Sequence, residues 1–329
     1  MDISSEKIIA YKKRTLVKEW YYIGFKPLHL IMKIAITGTN GLLGQHLVQL
    51  LLNGGFTVVA TGKGRDRSSF ASSSKTYRYY ELDIVDQIRM NEILQSEKPE
   101  VLVHAAAITQ VDECELNQKQ CVLVNVQGTA SALRAAEKYC RHIIFVSSDF
   151  VFDGVAGNYS EDAELKPISF YGKTKQEGEQ LISDSKIPWS IVRTCLVYGN
   201  VLSGSRNNII SWVKDNLEKK KPIRVVSDQF RTPTYVEDLA KGILLVIQKK
   251  ATGIYHISGK EVLTPYDIAQ QTAHLLGLNK DLIEEVNASV FTQPAKRPPK
   301  TGFNINKARK ELGYEPISFI EGLRGMLGE

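Results

Sequence analysis

The sequence predicts an α/β protein: a doubly wound parallel sheet followed by a smaller, mostly helical C-terminal lobe. Three observations carry that expectation. From Met32 onward short β-branched runs alternate with longer segments of helical period. A glycine-rich turn joins the first run to the first helix. From about Cys195 the rhythm loosens into loops marked by Gly199, Gly204, Pro222, Pro233, Pro265, Pro294, Pro298 and Pro299.

Residues 1–31 form an N-terminal extension with lysine throughout, no long apolar core and no small-residue cleavage site, a poor signal peptide. They read either as an accessory helix or as an artefact of the start site, because Met32 stands where a start would sit. From there "KIAIT" is a buried strand and "LLGQHLVQLLLNGG" a helix closed by Gly54 and Gly55. "FTVVAT", "VLVHAAA" (101–107), "HIIFVSS" (142–148) and "WSIVRT" are further strands, with helices at "VQGTASALRAAEKYC" and from Tyr171 to about Ser185. Regular alternation of this kind implies a parallel sheet with helices on both faces, whose binding sites lie at the carboxyl ends of the strands. Residues 32–194 are therefore expected to form a dinucleotide-binding domain. Residues 195–329 are expected to form a substrate lobe, with helices near 207–219, 236–248, 265–276 and 304–327. "YHIS" suggests a strand near 253–258 that returns to the sheet.

The bulk numbers exclude several classes. The chain has 329 residues, 43% apolar and 24% charged, with a net charge of +6. The charges are mixed along the chain, which argues against nucleic-acid binding, where a concentrated basic stripe is expected. No apolar stretch reaches the length of a membrane span. The four cysteines include no Cys-x-x-Cys pair, and the six histidines show no metal-ligand spacing. Free thiols, a cytoplasmic location and no metal are the expectation. Oligomeric state stays open, with a homodimer as one option.

Gly38-x-x-Gly41-x-x-Gly44 follows the first strand and opens the first helix. The first glycine permits a tight turn, the second a close approach of backbone to pyrophosphate, and the third close helix–strand packing. Free N–H groups at the helix start then face the anion. Asn40, Leu42 and Leu43 belong to the same turn. An acid at the end of the second strand would hold a ribose 2′-hydroxyl, but "VVATGKGRDR" has none before Asp66. Lys63 and Arg65 are available there for a 2′-phosphate, so NADP is favoured, with NAD the alternative. Asp83, followed by Ile84, stands at a strand end where it could bond an adenine amino group or cap the next helix. Ala105, Ala106 and Ala107, with Thr109 beyond, would let a cofactor pass close to the backbone. Asn125 reads as a structural residue that bonds backbone.

Ser147, Ser148 and Asp149 end a buried strand, Tyr171 follows Ser148 by 23 residues, and Lys175 follows Tyr171 by four. Tyr-x-x-x-Lys alone is a thin signal; Tyr22 and Lys26 repeat it by chance around Gly24 and before Pro27, a poor helix. The glycine turn, strand-end Ser and Tyr-x-x-x-Lys in this order resemble the extended short-chain dehydrogenase/reductases, from Met32 nearly to the C-terminus. Within them, "AAAITQVDECE", "VSSDFVFDG", "YGKTKQEGE", "VRTCLVYG" and "DQFRTPTYVEDLA" are similar to the dTDP-4-dehydrorhamnose reductase group. Three substrate-side positions depart from that group. Leu196 stands where Trp is usual and Arg231 where Gly is usual, and the Arg297-Pro298 step lacks the usual Asn-Ser.

The resemblance implies an NADPH-dependent reductase with Ser148, Tyr171 and Lys175 as its catalytic set. The residue chemistry agrees with it. A free tyrosine has a pKa near 10, and a nearby ammonium stabilises its phenolate. Positions four apart share one helix face, so Lys175 can sit beside Tyr171 and also hold the cofactor ribose. Ser148 would bond the carbonyl oxygen. Asp149, Arg193, Gln229, Arg231 and Arg297 are candidates for holding a nucleotide-sugar, with structural salt bridges the competing explanation for the arginines. Two alternatives stand beside this. One is another sugar-nucleotide epimerase or reductase. The other is a non-catalytic partner like the regulatory β subunit of methionine adenosyltransferase, which resembles the same group.

Overall fold

The computed structural model describes residues 32–68, 70, 75–203 and 208–328. The N-terminal extension, with its Tyr22/Lys26 pair, lies outside the described residues.

Along the chain, β1 (Lys33–Thr37), α1 (Leu42–Asn53), β2 (Thr57–Gly62), β3 (Tyr77–Glu81), α2 (Gln87–Glu97) and β4 (Val101–His104) come first. Two short helices follow, α3 (Val111–Leu116) and α4 (Gln118–Cys121), and a wider π-type turn at Val122–Gln127 leads into α5 (Gly128–Tyr139). Then come β5 (His142–Ser148), α6 (Phe170–Ser183), β6 (Trp189–Thr194), β7 (Val197–Tyr198), α7 (Ile209–Glu218), β8 (Ile223–Val226) and β9 (Thr234–Tyr235). The last elements are α8 (Val236–Lys249), β10 (Gly253–His256), α9 (Pro265–Leu275), β11 (Ile283–Val286) and α10 (Phe319–Leu327).

Seven strands form one sheet in the order β10-β6-β5-β4-β1-β2-β3, and every neighbouring pair is parallel. Its central strands are apolar on both faces because helices cover both. Leu47 and Leu51 of α1 and Leu239 and Ile243 of α8 pack into the core on one face. Ile93 and Leu94 of α2, Ala135 and Ala136 of α5 and Ile182 of α6 pack into the core on the other. The chain runs outward from β1 through β2 and β3, then crosses to β4 and continues the opposite way. This reversal opens a crevice at the carboxyl ends of β1 and β4, the place where open α/β sheets bind ligands. This is the doubly wound, Rossmann-like fold that the sequence predicts.

Beyond β6 the chain builds a second, smaller core. β8 and β11 pair in parallel, and Val213, Leu217, Ala269 and Ala273 of α7 and α9 pack on them. Yet β10 pairs with β6 inside the main sheet, with Tyr255 opposite Val192.

Two expectations need correction. The segment 304–327 is not one helix: a π-type turn at Ala308–Leu312 ends at Gly313, whose φ is +70°, and α10 starts anew after Ser318. Gly313 adopts a conformation that no helix continues through, and Pro316 bars a restart before it. Ser318 and Glu321 then form a capping box. The cysteines are not all free either. Cys114 and Cys121 form a disulfide with Cα atoms 5.2 Å apart, while Cys140 and Cys195 are free. A seven-residue separation is uninformative in sequence, because the turn between α3 and α4 is what brings these two together. Among the described residues no helix is long and apolar enough to cross a membrane.

Candidate active site

A cleft of about 820 Å³ opens at the carboxyl ends of β1, β4 and β5. Its floor is the turn after β1. Gly38 has φ +79°, and a Cβ there would meet Ala106 Cα at 2.9 Å, so neither conformation nor space admits a larger residue. A Cβ at Gly44 would lie 2.4 Å from the Gly38 carbonyl oxygen, which fixes how closely α1 returns to the turn. Gly41 caps α1 without a side chain, so no local oxygen covers the first N–H groups of that helix. Gly38, Gly41, Leu42, Leu43 and Gly44 all line the cleft.

The neighbouring wall is Ala105–Thr109, held by buried polar side chains. Thr37 Oγ1 accepts from the N–H groups of Ala105 and Ala106, both at 3.2 Å, and lies 2.8 Å from His104 Nδ1. Burial holds the His104 pKa down to about 3, so the ring is neutral. Asn125 takes the Ile108 N–H at 2.8 Å and donates to the Ile108 carbonyl at 3.0 Å, the backbone-bonding part read from sequence. Asp83, Ile84 and Lys63 also line the cleft, and Lys63 Nζ pairs with Asp83 Oδ2 at 3.1 Å. Two residues expected to touch a cofactor do not line the cleft. Asn40 instead clamps the loop after β2: it donates to the carbonyls of Lys63 and Arg65 at 3.1 and 3.0 Å and accepts from the Arg67 N–H. Arg65 is exposed and does not line the cleft.

Ser148, Tyr171 and Lys175 line the same cleft. Ser148 Oγ donates to Asp149 Oδ1 at 3.1 Å and accepts from the Phe150 N–H. Tyr171 packs edge-on against Phe150, with ring centroids 5.8 Å apart, and beside the Cys114–Cys121 pair. Lys175 is buried; its Nζ donates to the Val146 carbonyl at 2.7 Å and lies 4.0 Å from the Phe145 ring centroid. Burial pulls its pKa down to about 7, against a smaller opposing pull from Glu179.

The candidates for substrate binding do not line the cleft. Arg193 is 1% exposed and forks onto Glu179, Nε to Oε1 at 2.9 Å and Nη2 to Oε2 at 2.7 Å. It also stacks 5.2 Å from the Phe152 ring. Arg231 bonds the carbonyls of Phe230, Pro298 and Pro299 and faces Asp149 Oδ2 at 3.7 Å. Asp149 is itself buried and accepts from Thr301. Together they brace the 298–301 segment behind Ser148. Arg297 makes a bidentate pair with Asp112, at 2.8 and 3.1 Å. Gln229 is half-buried after β8 and does not line the cleft. Charge in sequence could not separate these cases, because the partner carboxylates are supplied by the fold.

The lobe side of the cleft is instead Thr194, Leu196, Val197, Tyr198, Asn208 and Ile209, and the near wall includes Gln110, Glu113 and Gln120. Most of these escaped the reading of the sequence. Their signal was position, since Thr194–Tyr198 directly follows the carboxyl end of β6. Leu196 has φ +40°, a conformation that is rare for a side-chain-bearing residue.

A family profile described as "RmlD substrate binding domain" matches residues 32–329. The chain belongs to that family. It is 30% identical to a dTDP-4-dehydrorhamnose reductase of Aggregatibacter actinomycetemcomitans over 89% of this chain and 98% of that protein. It is also 30% identical to methionine adenosyltransferase 2 subunit beta of Xenopus laevis, over 89% of this chain and 86% of that one. Among solved structures, it is similar to a dTDP-4-dehydrorhamnose reductase of Bacillus anthracis in complex with NADP. The TM-score is 0.78 at 26% identity, covering 90% of this chain and 98% of that one.

Proposed function

We propose that the protein is an NADPH-dependent reductase of a 4-keto, nucleotide-activated deoxysugar, with dTDP-4-dehydrorhamnose as the first candidate substrate. One observation carries the reading: a single cleft is bounded by the glycine turn on one side and by Ser148, Tyr171 and Lys175 on the other. The relatives named as reductases of such sugars support it.

The residues fit a dinucleotide. Gly38 and Gly44 leave backbone where a Cβ would collide, and the start of α1 offers N–H groups to a pyrophosphate. Lys63 is a cleft-lining cation available to a 2′-phosphate, and the Ala105–Ala107 wall offers little side-chain bulk. When bound, NADPH supplies hydride to the ketone carbon.

The protein supplies the proton and the geometry. Ser148 Oγ–H turns from Asp149 to donate to the substrate carbonyl oxygen, polarising it and fixing its direction. Tyr171 gives its phenolic proton to the oxygen as negative charge develops there. Lys175, with a pKa near 7, is poised to be charged when a phenolate forms beside it and to lose charge in its absence. Leu196, Tyr198 and Asn208 at the lobe side face the sugar nucleotide. Loss of nicotinamide absorbance on adding dTDP-4-dehydrorhamnose, with dTDP-rhamnose as product, tests the assignment.

The β-subunit relatives favour a second reading, a regulatory partner that binds nucleotide without turnover. The complete Ser148, Tyr171 and Lys175 set speaks for turnover. Absence of NADPH oxidation with every 4-keto sugar nucleotide, alongside tight NADPH binding, would favour the partner.

A further inference from the structure

Helix α3 has only six residues, too few to be stable through its own hydrogen bonds. Side chains tie it down on several sides. Asp112 holds Arg297, Cys114 is bonded to Cys121, and Glu115 Oε2 accepts the main-chain N–H of Phe170 at 3.0 Å. Phe170 is the first residue of α6 and the neighbour of Tyr171.

The first N–H groups of a helix have no acceptor within it. In α6, Ser169 Oγ takes the Gly172 N–H at 3.1 Å, an ordinary local cap. A local cap cannot fix where the helix stands against the rest of the molecule. The Phe170 N–H goes instead to a carboxylate 55 residues away in sequence. Glu115 lies on the segment that runs directly on from Ile108, Thr109 and Gln110, which line the cleft. Asn125, which holds Ile108, also donates to Thr174 Oγ1 at 3.1 Å. Helix α6 is thus tied to the cleft wall at Phe170 and again at Thr174, with Tyr171 between the two ties.

We propose that Glu115 is a positioning residue for Tyr171. Its carboxylate sets the height and rotation of the first turn of α6 against the wall along which the dinucleotide lies. The inference rests on the reductase reading for its kinetic consequence, though the tie itself can be measured without turnover.

The test compares Glu115→Ala, Glu115→Asp and Glu115→Gln in the full chain. Misplacing a reacting group by an ångström costs up to about a hundredfold in rate, so the alanine variant should lose about tenfold or more in kcat. Its KM for NADPH should stay within about twofold, since no interaction shared by ground and transition states is removed. Glutamine keeps an acceptor oxygen at the same reach and should restore most of kcat. Aspartate retains the charge but withdraws the oxygen by one methylene, and should behave like alanine; it carries the same test if the alanine variant does not fold. Amide exchange at Phe170, read by NMR or mass spectrometry, should quicken about tenfold or more in the alanine and aspartate variants and recover in the glutamine variant. Wild-type kcat in the aspartate or alanine variant, or loss in glutamine equal to that in alanine, would overturn the positioning role. Unchanged Phe170 exchange in the alanine and aspartate variants would overturn the tie. If the wild type reduces no sugar nucleotide but Phe170 exchange still follows this pattern, the reductase reading fails and the tie stands.

Discussion

Lys175 hydrogen-bonds the Val146 carbonyl at 2.7 Å from a position 3% exposed to solvent. An ammonium so placed has exchanged water for one carbonyl and an aromatic face, and burial lowers its pKa from the ordinary 10.5 to about 7. Between those two values the unfolded chain binds a proton that the folded chain does not. Stability therefore rises with pH through that window, and the burial penalty is fully present below about pH 7. Lys175→Met should abolish turnover yet stabilise the fold at pH 6 by on the order of 2–4 kcal/mol, with the gain shrinking toward pH 10. Denaturant unfolding of both proteins across that range checks it.

Gly172, next to Tyr171, allows α6 to touch the segment after Ser148. A Cβ there would fall 2.1 Å from the Phe150 carbonyl oxygen, a backbone atom that cannot step aside. Gly172→Ala should push the first turn of α6 away from Ser148 and cost about 2–4 kcal/mol of stability, despite alanine's better helix propensity. Urea melts and steady-state rates of this variant give the measurement; a stabilised, fully active protein would contradict the packing.

Arg193 and Glu179 form a buried pair, and Arg193 does not line the cleft. Removing one partner strands the other charge, so Arg193→Ala should cost about 3–5 kcal/mol. At temperatures where the variant remains folded, the KM for sugar nucleotide should be close to wild type. A raised KM with little loss of stability would return Arg193 to the substrate site.

How much of this was legible in the sequence follows from which interactions are local. Strands β1, β4, β5 and β6 were readable because two-sided burial leaves continuous apolar runs, and the glycine turn because the positive φ of Gly38 and the contact of Gly44 with Gly38 and Thr39 are set within a few residues, whereas the wall at Ala106 that also confines Gly38 comes from far along the chain. Helix α6 was readable from its period and the shared face of Tyr171 and Lys175 from their spacing, but what singled this pair out was the order of glycine turn, strand-end serine and tyrosine. Arg193, Arg231 and Arg297 were not, since Glu179, Asp149 and Asp112 become their partners only once strands, helices and lobe have assembled. Glu115 closes the quoted "AAAITQVDECE", but its tie to the Phe170 N–H was hidden for the same reason. The break at Gly313 was available in principle, for a glycine followed closely by proline ends a helix.

Lys63 lines the cleft, is 82% exposed and pairs with Asp83. A cation at that position favours a 2′-phosphate, so Lys63→Ala should raise the KM for NADPH about five- to tenfold and leave that for NADH within about twofold. Equal effects on both cofactors would place the lysine outside 2′-phosphate recognition.

Acid should unfold the protein through buried histidines. His104, His142 and His256 titrate at about 3, 4 and 3 in the fold against 6.5 outside it, all because burial disfavours their charged forms. The unfolded chain binds more protons in that interval, so the histidines cost nothing above about pH 6.5 and an increasing amount toward pH 3. Glu97, held down to about 2 by Lys33, Tyr80 and Arg78 against its own desolvation, adds to the loss below pH 4.5. Thermal melts from pH 7 to pH 4 should show a monotonic decline; a flat profile would mean that the histidines are solvated.

The most direct measurement is single-turnover reduction of dTDP-4-dehydrorhamnose by enzyme preloaded with NADPH, comparing wild type with Tyr171→Phe. The wild type should consume NADPH and form the 4-hydroxy sugar. The phenylalanine variant, lacking only one hydroxyl, should bind NADPH as tightly and turn over at least about a hundredfold more slowly. Equal rates in the two proteins would contradict Tyr171 as the proton donor.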